Sequence, residues 1–316
     1  MTKRWKKIQG LVSAPYTPFH ANGALHEEAI AIQADAARNV LAGVFICGTT
    51  GEGISMTVDE RMRVAEAWMR HRSPDLKVIV HVGTTSLLDA KRLASHAQQI
   101  GADGVASMAP LAFRPAGTAG LADYLAEIAN AAPELPFLYY HMPSFTGFPA
   151  SMLDFIPRAI DKIPTFAGIK YTHEDLFEFA QMIEEFGDEY DMIFGRDEYL
   201  IHALQIGATG AVGSTYNYMA PIYLSLMRLI AAGNTEDALA LHLRVLAIIR
   251  VLIKYGGGVI GGKIIMKIIG QDMGPCRAPL PAFGEKEVEA MRAELQQVGF
   301  FDAGVLGESF AAIGKR

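Results

Sequence analysis

The chain has 316 residues, of which 51% are hydrophobic and 20% charged, with a formal charge of −6. That composition excludes a disordered chain, and the acidic balance supplies no global field for nucleic acid or an anionic membrane surface. The length fits one large α/β barrel with an extension, or two ordinary domains.

The N-terminal residues, Met1 to Lys7, are basic, and the apolar stretch after them is short and broken by Pro15 and Pro18. That pattern is not a signal peptide. No apolar run reaches about 18 residues, so no membrane span is expected. The two cysteines, Cys47 and Cys276, lie far apart and form no CxxC pair. They predict a reducing compartment, no disulfides and a cytoplasmic protein. Cys47 sits in an apolar strand and reads as core.

Strand-like runs follow at residues 11–15, 43–47, 78–82, 104–108, 136–140, 166–170, 191–194 and 210–213. All are short, apolar and rich in β-branched or aromatic residues, as strands buried on both faces should be. Helical patterns lie between them. Several open on capping signals: Thr57 with Glu60, Ser86 with Asp89, Ser151 with Asp154, and Thr172 with Asp175. Eight strand–helix units in about 230 residues predict a (β/α)8 barrel rather than an open sheet. An open dinucleotide-binding sheet would need a glycine fingerprint after an early strand, and none occurs. The eighth helix is expected over residues 221–232. Further helical patterns at 235–255, 263–269 and 285–297 predict a C-terminal helical extension. The division is therefore residues 1–233 for the barrel and 234–316 for the extension.

Active sites of this fold sit at the C-terminal ends of the strands, so the boundaries themselves nominate the site. Strand 2 runs into Gly48-Thr49-Thr50-Gly51-Glu52-Gly53, and strand 3 ends at His81-Val82-Gly83. Strand 5 ends at Tyr139-Tyr140-His141-Met142-Pro143, and strand 6 at Lys170 followed by Thr172. Strand 7 runs into Gly195-Arg196-Asp197-Glu198, and strand 8 into Gly213-Ser214-Thr215-Tyr216-Asn217.

A lysine that ends an apolar strand has its amine in a partly dry pocket. Desolvation favours the neutral form, which can condense with a ketone as a Schiff base. Lys170 is the candidate nucleophile, and Tyr140, ending the neighbouring strand, is a candidate proton shuttle. The Gly48–Gly51 turn offers backbone N–H groups and the Thr49 and Thr50 hydroxyls as an anion cradle. Asp197 and Glu198 are acceptors suited to a polyol. Each residue also has a purely structural account. Lys170 could snorkel to water, Thr172 could be an N-cap, Tyr140 a core tyrosine, the glycines a tight turn, and Asp197-Glu198 a helix start. His81 reads as a satisfied buried histidine. The stretch Gly257 to Lys263 fits GxxxxGK, but Ile264 replaces the Ser/Thr that would hold magnesium and a helix precedes it, so it is not a P-loop.

Taken together these strand ends resemble the pyruvate-dependent class I aldolases of the dihydrodipicolinate synthase and N-acetylneuraminate lyase superfamily. The resemblance covers residues 11 to about 281, most of the chain. Gly48-Thr49-Thr50-Gly51-Glu52 is similar to the family's carboxylate-binding loop, Tyr140 to its tyrosine and Lys170 to its Schiff-base lysine. Phe194-Gly195-Arg196-Asp197-Glu198 and residues 210–217 resemble the N-acetylneuraminate lyase branch. Residues 161–165 and Met273-Gly274-Pro275 resemble its animal-type members.

The resemblance implies a lyase that cleaves N-acetylneuraminate to N-acetylmannosamine and pyruvate through a covalent Schiff base on Lys170, with no metal or other cofactor. It implies Lys170, Tyr140 and Thr50 as catalytic residues. Thr49, Thr50, Thr172, Gly195, Asp197, Glu198 and Ser214 would bind the sugar acid, and the assembly would be a homotetramer. Phe145 stands where the synthase branch carries an arginine for a second substrate's carboxylate, and a phenyl ring cannot make that bidentate pair. The family's tyrosine after strand 4 is missing too, since Ala112 and Phe113 stand there. Three other readings stay open: an aldolase or dehydratase for 2-keto-3-deoxy sugar acids, a sialate- or pyruvate-binding protein without turnover, and a metal-dependent aldolase using His81 and His141, for which no helical HxxxH or strand HxH pair supplies close ligands.

Overall fold

The structure is a computed structural model describing residues 5–307. Residues 1–4 of the basic stretch and residues 308–316 of the expected extension lie outside the described residues.

Eight strands pair in chain order: β1 (Gly10–Ser13), β2 (Gly43–Ile46), β3 (Lys77–His81), β4 (Gly104–Met108), β5 (Phe137–His141), β6 (Phe166–Tyr171), β7 (Asp191–Phe194) and β8 (Gly210–Gly213). All pairings are parallel, and β8 returns to β1 to close the barrel. The runs are apolar on both faces because both faces are covered. Val12, Phe45, Ile79, Leu138 and Ile193 belong to a cluster that fills the interior. Their strand neighbours of opposite parity, such as Val44, Val78 and Tyr139, pack in a second cluster against the surrounding helices. Burying each such side chain contributes about 2 kcal/mol, so the pattern has its minimum only between two layers.

The N-terminal end of the barrel is plugged locally. Asp191 at the start of β7 accepts from the Trp5 indole N–H at 2.5 Å and from the Ile8 N–H at 3.0 Å. Burial raises the Asp191 carboxyl to about 6 despite these donors.

The helices are α1 (Ile30–Ala37), α2 (Val58–His71), α3 (Leu87–Gln99), α4 (Gly117–Ala129), α5 (Pro143–Thr146), α6 (Met152–Lys162), α7 (Leu176–Phe186), α8 (Leu200–Gln205) and α9 (Tyr216–Ala231). The helical C-terminal region holds α10 (Thr235–Lys254), α11 (Gly257–Ile268), α12 (Glu285–Gln297) and α13 (Ala303–Leu306). No helix among the described residues is long and apolar enough to cross a membrane.

Of the expected caps, Thr57 and Glu60 form a full reciprocal box, and Ser86 accepts from the Asp89 N–H. Ser151 makes no side-chain cap bond, because Asp154 turns instead to Thr118 and Arg158. Thr172 is not a cap at all: α7 starts at Leu176, and Asp175 accepts from the Glu178 N–H at 3.0 Å.

Two helices start earlier than their patterns indicated. α9 begins at Tyr216 rather than Pro221, with a non-helical Met219 (φ −118°, ψ 16°) between. The kink places Pro221 in the first turn of a fresh straight segment, where its missing N–H is harmless. α11 begins at Gly257 rather than Lys263. Its glycines oppose helix formation locally, but a Cβ on Gly262 would lie 1.8 Å from the Tyr16 hydroxyl. Close packing against β1's extension therefore selects glycine over a better helix former.

Candidate active site

Lys170 projects from β6 between Tyr140 of β5 and Ile193 of β7. Two residues earlier, Gly168 has φ +145°, and a Cβ there would meet the Asp191 carbonyl at 2.0 Å, so only glycine lets β6 lie against β7 in this register. The Lys170 side chain is buried, its Nζ 4.1 Å from the Phe45 ring centroid and 3.9 Å from that of Tyr140. Among the described residues no carboxylate forms an ion pair with it. Desolvation lowers its pKa below the ordinary lysine value, while Tyr140 and Asp197 pull the other way.

Lys263 is the instructive contrast. It is equally buried, but its Nζ meets Glu52 Oε1 at 2.7 Å. Both amines stand over aromatic rings, but among the described residues only the second has a carboxylate in ion-pair contact. Desolvation lowers the pKa of both amines, but at Lys263 the ion pair with Glu52 opposes it, whereas Lys170 has no such carboxylate and opens on the cavity.

A cavity of about 330 Å³ opens at the C-terminal end of the barrel, and Lys170 and Tyr140 line it. Thr49 and Thr50 form one wall. Their turn is closed by Glu52 N–H to Thr49 carbonyl (3.1 Å) and Gly53 N–H to Gly48 carbonyl (3.0 Å). Gly53 is obligatory here, since a Cβ would fall 1.8 Å from the Cys47 carbonyl. Among the described residues the N–H groups of Thr49, Thr50 and Gly51 have no protein acceptor, as a cradle for an anion requires. The Tyr140 hydroxyl donates to Met142 Sδ at 3.1 Å, and Thr49 Oγ1 lies 4.0 Å from the same sulfur. A thioether is a weak acceptor, so both hydroxyls are easily won by a carboxylate or alkoxide.

The opposite wall carries Thr172, Gly195, Asp197, Glu198 and Ser214. Lys170, Tyr140, Thr49, Thr50, Thr172, Gly195, Asp197, Glu198 and Ser214, the residues expected to act on or bind a sugar acid, thus line one cavity. Asp197 is buried, and its Oδ2 accepts from the Thr215 N–H at 2.9 Å and the Thr215 hydroxyl at 2.7 Å. Thr215 Oγ1 is also 2.9 Å from the Tyr223 hydroxyl. Having one hydrogen, it donates to the carboxylate and accepts from the phenol. Burial raises the Asp197 carboxyl to about 6, opposed by the two Thr215 bonds. Thr172 Oγ1 is buried without a protein partner, which fits a group reserved for a ligand better than a helix cap.

Sequence reasoning placed Thr215 at a strand end but gave it no role, and it missed the wall supplied by the C-terminal helices: Ile249, Leu252 and Ile253 of α10 with Gly258 and Val259 of α11. An apolar helix face signals burial, not which cavity it covers. It also gave Arg196 no role, although Arg196 lines the cavity beside Glu198 at 3.4 Å.

His81 and His141 do not line the cavity. His81 Nδ1 is 3.2 Å from the Cys47 carbonyl, but its Nε2 has no partner, so the histidine expected to be satisfied is only half so. His141 stacks on Tyr171 with ring centroids 5.2 Å apart. Desolvation pushes His81 well below its usual pKa and His141 down to about 3, so both rings are neutral. Among the described residues the side chains close enough to share a metal are His20, His26 and Glu28, whose donor atoms lie within 4.8 Å of one another on the β1 loop, outside the cavity. A second cavity, about 350 Å³, lies between α1 and α9 and contains no lysine. Size does not separate the two cavities, and the amine does.

Comparison with known proteins follows the same lines. The Dihydrodipicolinate synthetase family matches residues 7–298. N-acetylneuraminate lyase of Rattus norvegicus is 39% identical over 300 residues, 93% of this chain and 94% of the relative. The structure of Proteus mirabilis N-acetylneuraminate lyase superposes with a TM-score of 0.90 at 36% identity, over 93% of this chain and 100% of the other. A Ruminococcus gnavus sialic acid aldolase, solved as its catalytic lysine mutant, superposes at 0.86 with 28% identity, over 92% and 95% of the two chains.

Proposed function

The chain belongs to the dihydrodipicolinate synthetase family, and from that premise we propose that it is a class I aldolase, a lyase that cleaves N-acetylneuraminate to N-acetylmannosamine and pyruvate. The observation that carries this reading is the buried Lys170 amine, set over two aromatic rings and facing the open N–H groups of the Thr49–Thr50 turn across one cavity.

The sugar acid enters in its open keto form. Its carboxylate takes the N–H groups and hydroxyls of the turn, which places the C2 ketone at Lys170. The amine adds to C2, and loss of water leaves an iminium. Tyr140, assisted by Thr50, removes the proton from the C4 hydroxyl. The electron pair of the C3–C4 bond then passes into C2–C3, the iminium nitrogen takes up the displaced pair, and N-acetylmannosamine leaves as the aldehyde. Protonation at C3 and hydrolysis of the resulting imine release pyruvate and the free lysine. Thr172, Gly195, Asp197, Glu198 and Ser214 hold the polyol so that the breaking bond lies across the iminium plane.

This chemistry needs no metal. The same reading takes the protein as a cytoplasmic homotetramer, with residues 1–233 as the catalytic barrel and 234–316 as an extension. Phe145 lies outside the cavity lining, which leaves no arginine-type clamp at that position for a second carboxylate.

Borohydride added in the presence of pyruvate should reduce the imine and add its mass at Lys170. Folded protein without that adduct overturns the mechanism. Fast turnover of a 2-keto-3-deoxy sugar acid beside weak cleavage of N-acetylneuraminate overturns the substrate.

A further inference from the structure

Glu52 lies at the end of the Thr49–Thr50 turn with φ +52° and ψ 34°, a left-handed conformation that side chains rarely adopt. Its carboxylate is spoken for on both sides: Oε1 meets Lys263 Nζ at 2.7 Å, and Oε2 accepts from the Arg277 N–H at 2.8 Å. The two charged side chains are 0% and 1% exposed. Lys263 also donates to the Pro275 carbonyl at 2.9 Å, and its Nζ stands 4.5 Å from the Phe19 ring. It sits on α11, the helix whose Gly258 and Val259 line the cavity, yet Lys263 itself does not reach the cavity.

We propose that the Glu52–Lys263 pair is a positioning device, through which the C-terminal helices set the shape of the turn and hence the affinity for the carboxylate of a 2-oxo acid. The proposal rests on the reading of that turn given above. A buried ion pair is a poor source of stability, because desolvating two charges offsets their attraction and an apolar pair would pack as well. A left-handed non-glycine residue is a second unfavourable feature at the same position, and such features persist where the surroundings over-determine them.

The geometry supplies the reason for both. The left-handed backbone of Glu52 points its N–H back to the Thr49 carbonyl and so leaves the Thr49, Thr50 and Gly51 N–H groups free. Holding the Glu52 side chain at both oxygens holds that backbone. Neither Glu52 nor Lys263 lines the cavity, so both act through the turn.

The test uses the full-length variants Lys263→Met, Glu52→Gln and the double variant, with folding checked by circular dichroism and thermal melting. Two constants are read: the pyruvate concentration that half-saturates borohydride trapping, and KM for N-acetylmannosamine in the condensation direction at saturating pyruvate. Each single variant should raise the pyruvate constant by ~10-fold or more while the N-acetylmannosamine constant stays within ~2-fold, the signature of a lost carboxylate contact. The double variant should recover part of the loss, since it leaves no unpaired buried charge, and stay weaker than the native protein. A folded single variant with the native pyruvate constant overturns the proposal, as do two constants that rise together. If the single variants do not fold, a double variant with the native pyruvate constant overturns it. Absence of any adduct in the native protein is a different result, the failure of the aldolase reading itself.

Discussion

Asp197 is the residue whose environment makes the sharpest demand. Both Thr215 bonds go to Oδ2, leaving Oδ1 without a protein donor among the described residues and free for a substrate hydroxyl. Burial outweighs these bonds and raises its carboxyl to about 6 from an ordinary 3.8. A raised folded-state pKa means that proton uptake stabilises the fold fully below the ordinary value, and that this contribution is lost as pH rises through about 6. Burial therefore disfavours the ionised acceptor, and on the proposed reading a bound polyol relieves it by donating. KM for N-acetylneuraminate should fall as pH rises through about 6. Asp197→Asn should remove that step and raise KM by ~10-fold or more above it, the loss expected for one hydrogen bond to a charged group. A pH profile of KM for both proteins checks this. A step that survives in the variant would assign it to another group. Lys170 also gains reactivity as it loses its proton, with desolvation lowering its pKa, but that change acts on imine formation and is read by pyruvate trapping, whereas Asp197 acts on the polyol and is read in KM.

At the scale of elements, the site is made where strand ends lie side by side. The Gly195 N–H donates to the Tyr171 carbonyl at 2.7 Å, and a Cβ on Gly195 would fall 2.0 Å from Thr172 Oγ1. Gly195→Ala should therefore drive the Thr172 hydroxyl out of the cavity. KM for the sugar acid should rise by ~5-fold or more with the loss of one neutral hydrogen bond, while pyruvate trapping at Lys170 stays unchanged. Equal loss of both would mean that the strand ends had shifted, not one hydroxyl.

The same scale explains what the sequence displayed. A strand buried on two faces must be a contiguous apolar run, so β4, β7 and β8 match their expected bounds residue for residue. Once the strands are placed, the fold's polarity delivers Lys170, Tyr140 and Asp197 to one mouth. The starts of α9 and α11 were not legible, because a kink at Met219 and the packing of Gly262 on Tyr16 decide them through contacts that no local window contains. The Glu52–Lys263 pair was hidden for the same reason: its partners are far apart in the chain and adjacent only in the fold.

For the whole molecule, the question is what the C-terminal helices do for a barrel that already closes on itself. A second large cluster joins α9 residues such as Tyr218, Ile222 and Leu226 to Val245, Ile248 and Leu252 of α10 and to Ile264 and Ile265 of α11. The barrel's last helix thus finds much of its covering in residues beyond 233. Exposing even ten such side chains would forfeit on the order of 20 kcal/mol of burial, more than the net stability of a typical domain. The cavity would also lose the wall formed by Ile249, Leu252, Ile253, Gly258 and Val259, and with it the dry surroundings that keep an amine neutral. A chain ended after Gly233 should therefore aggregate or populate a loosely packed state, and any soluble fraction should fail to form the pyruvate adduct. Size-exclusion chromatography, near-ultraviolet circular dichroism and borohydride trapping on the shortened and complete chains read the three consequences separately. A monodisperse shortened chain that still traps pyruvate at Lys170 would show that the barrel alone desolvates its lysine, and that the extension serves the turn and the sugar rather than the nucleophile.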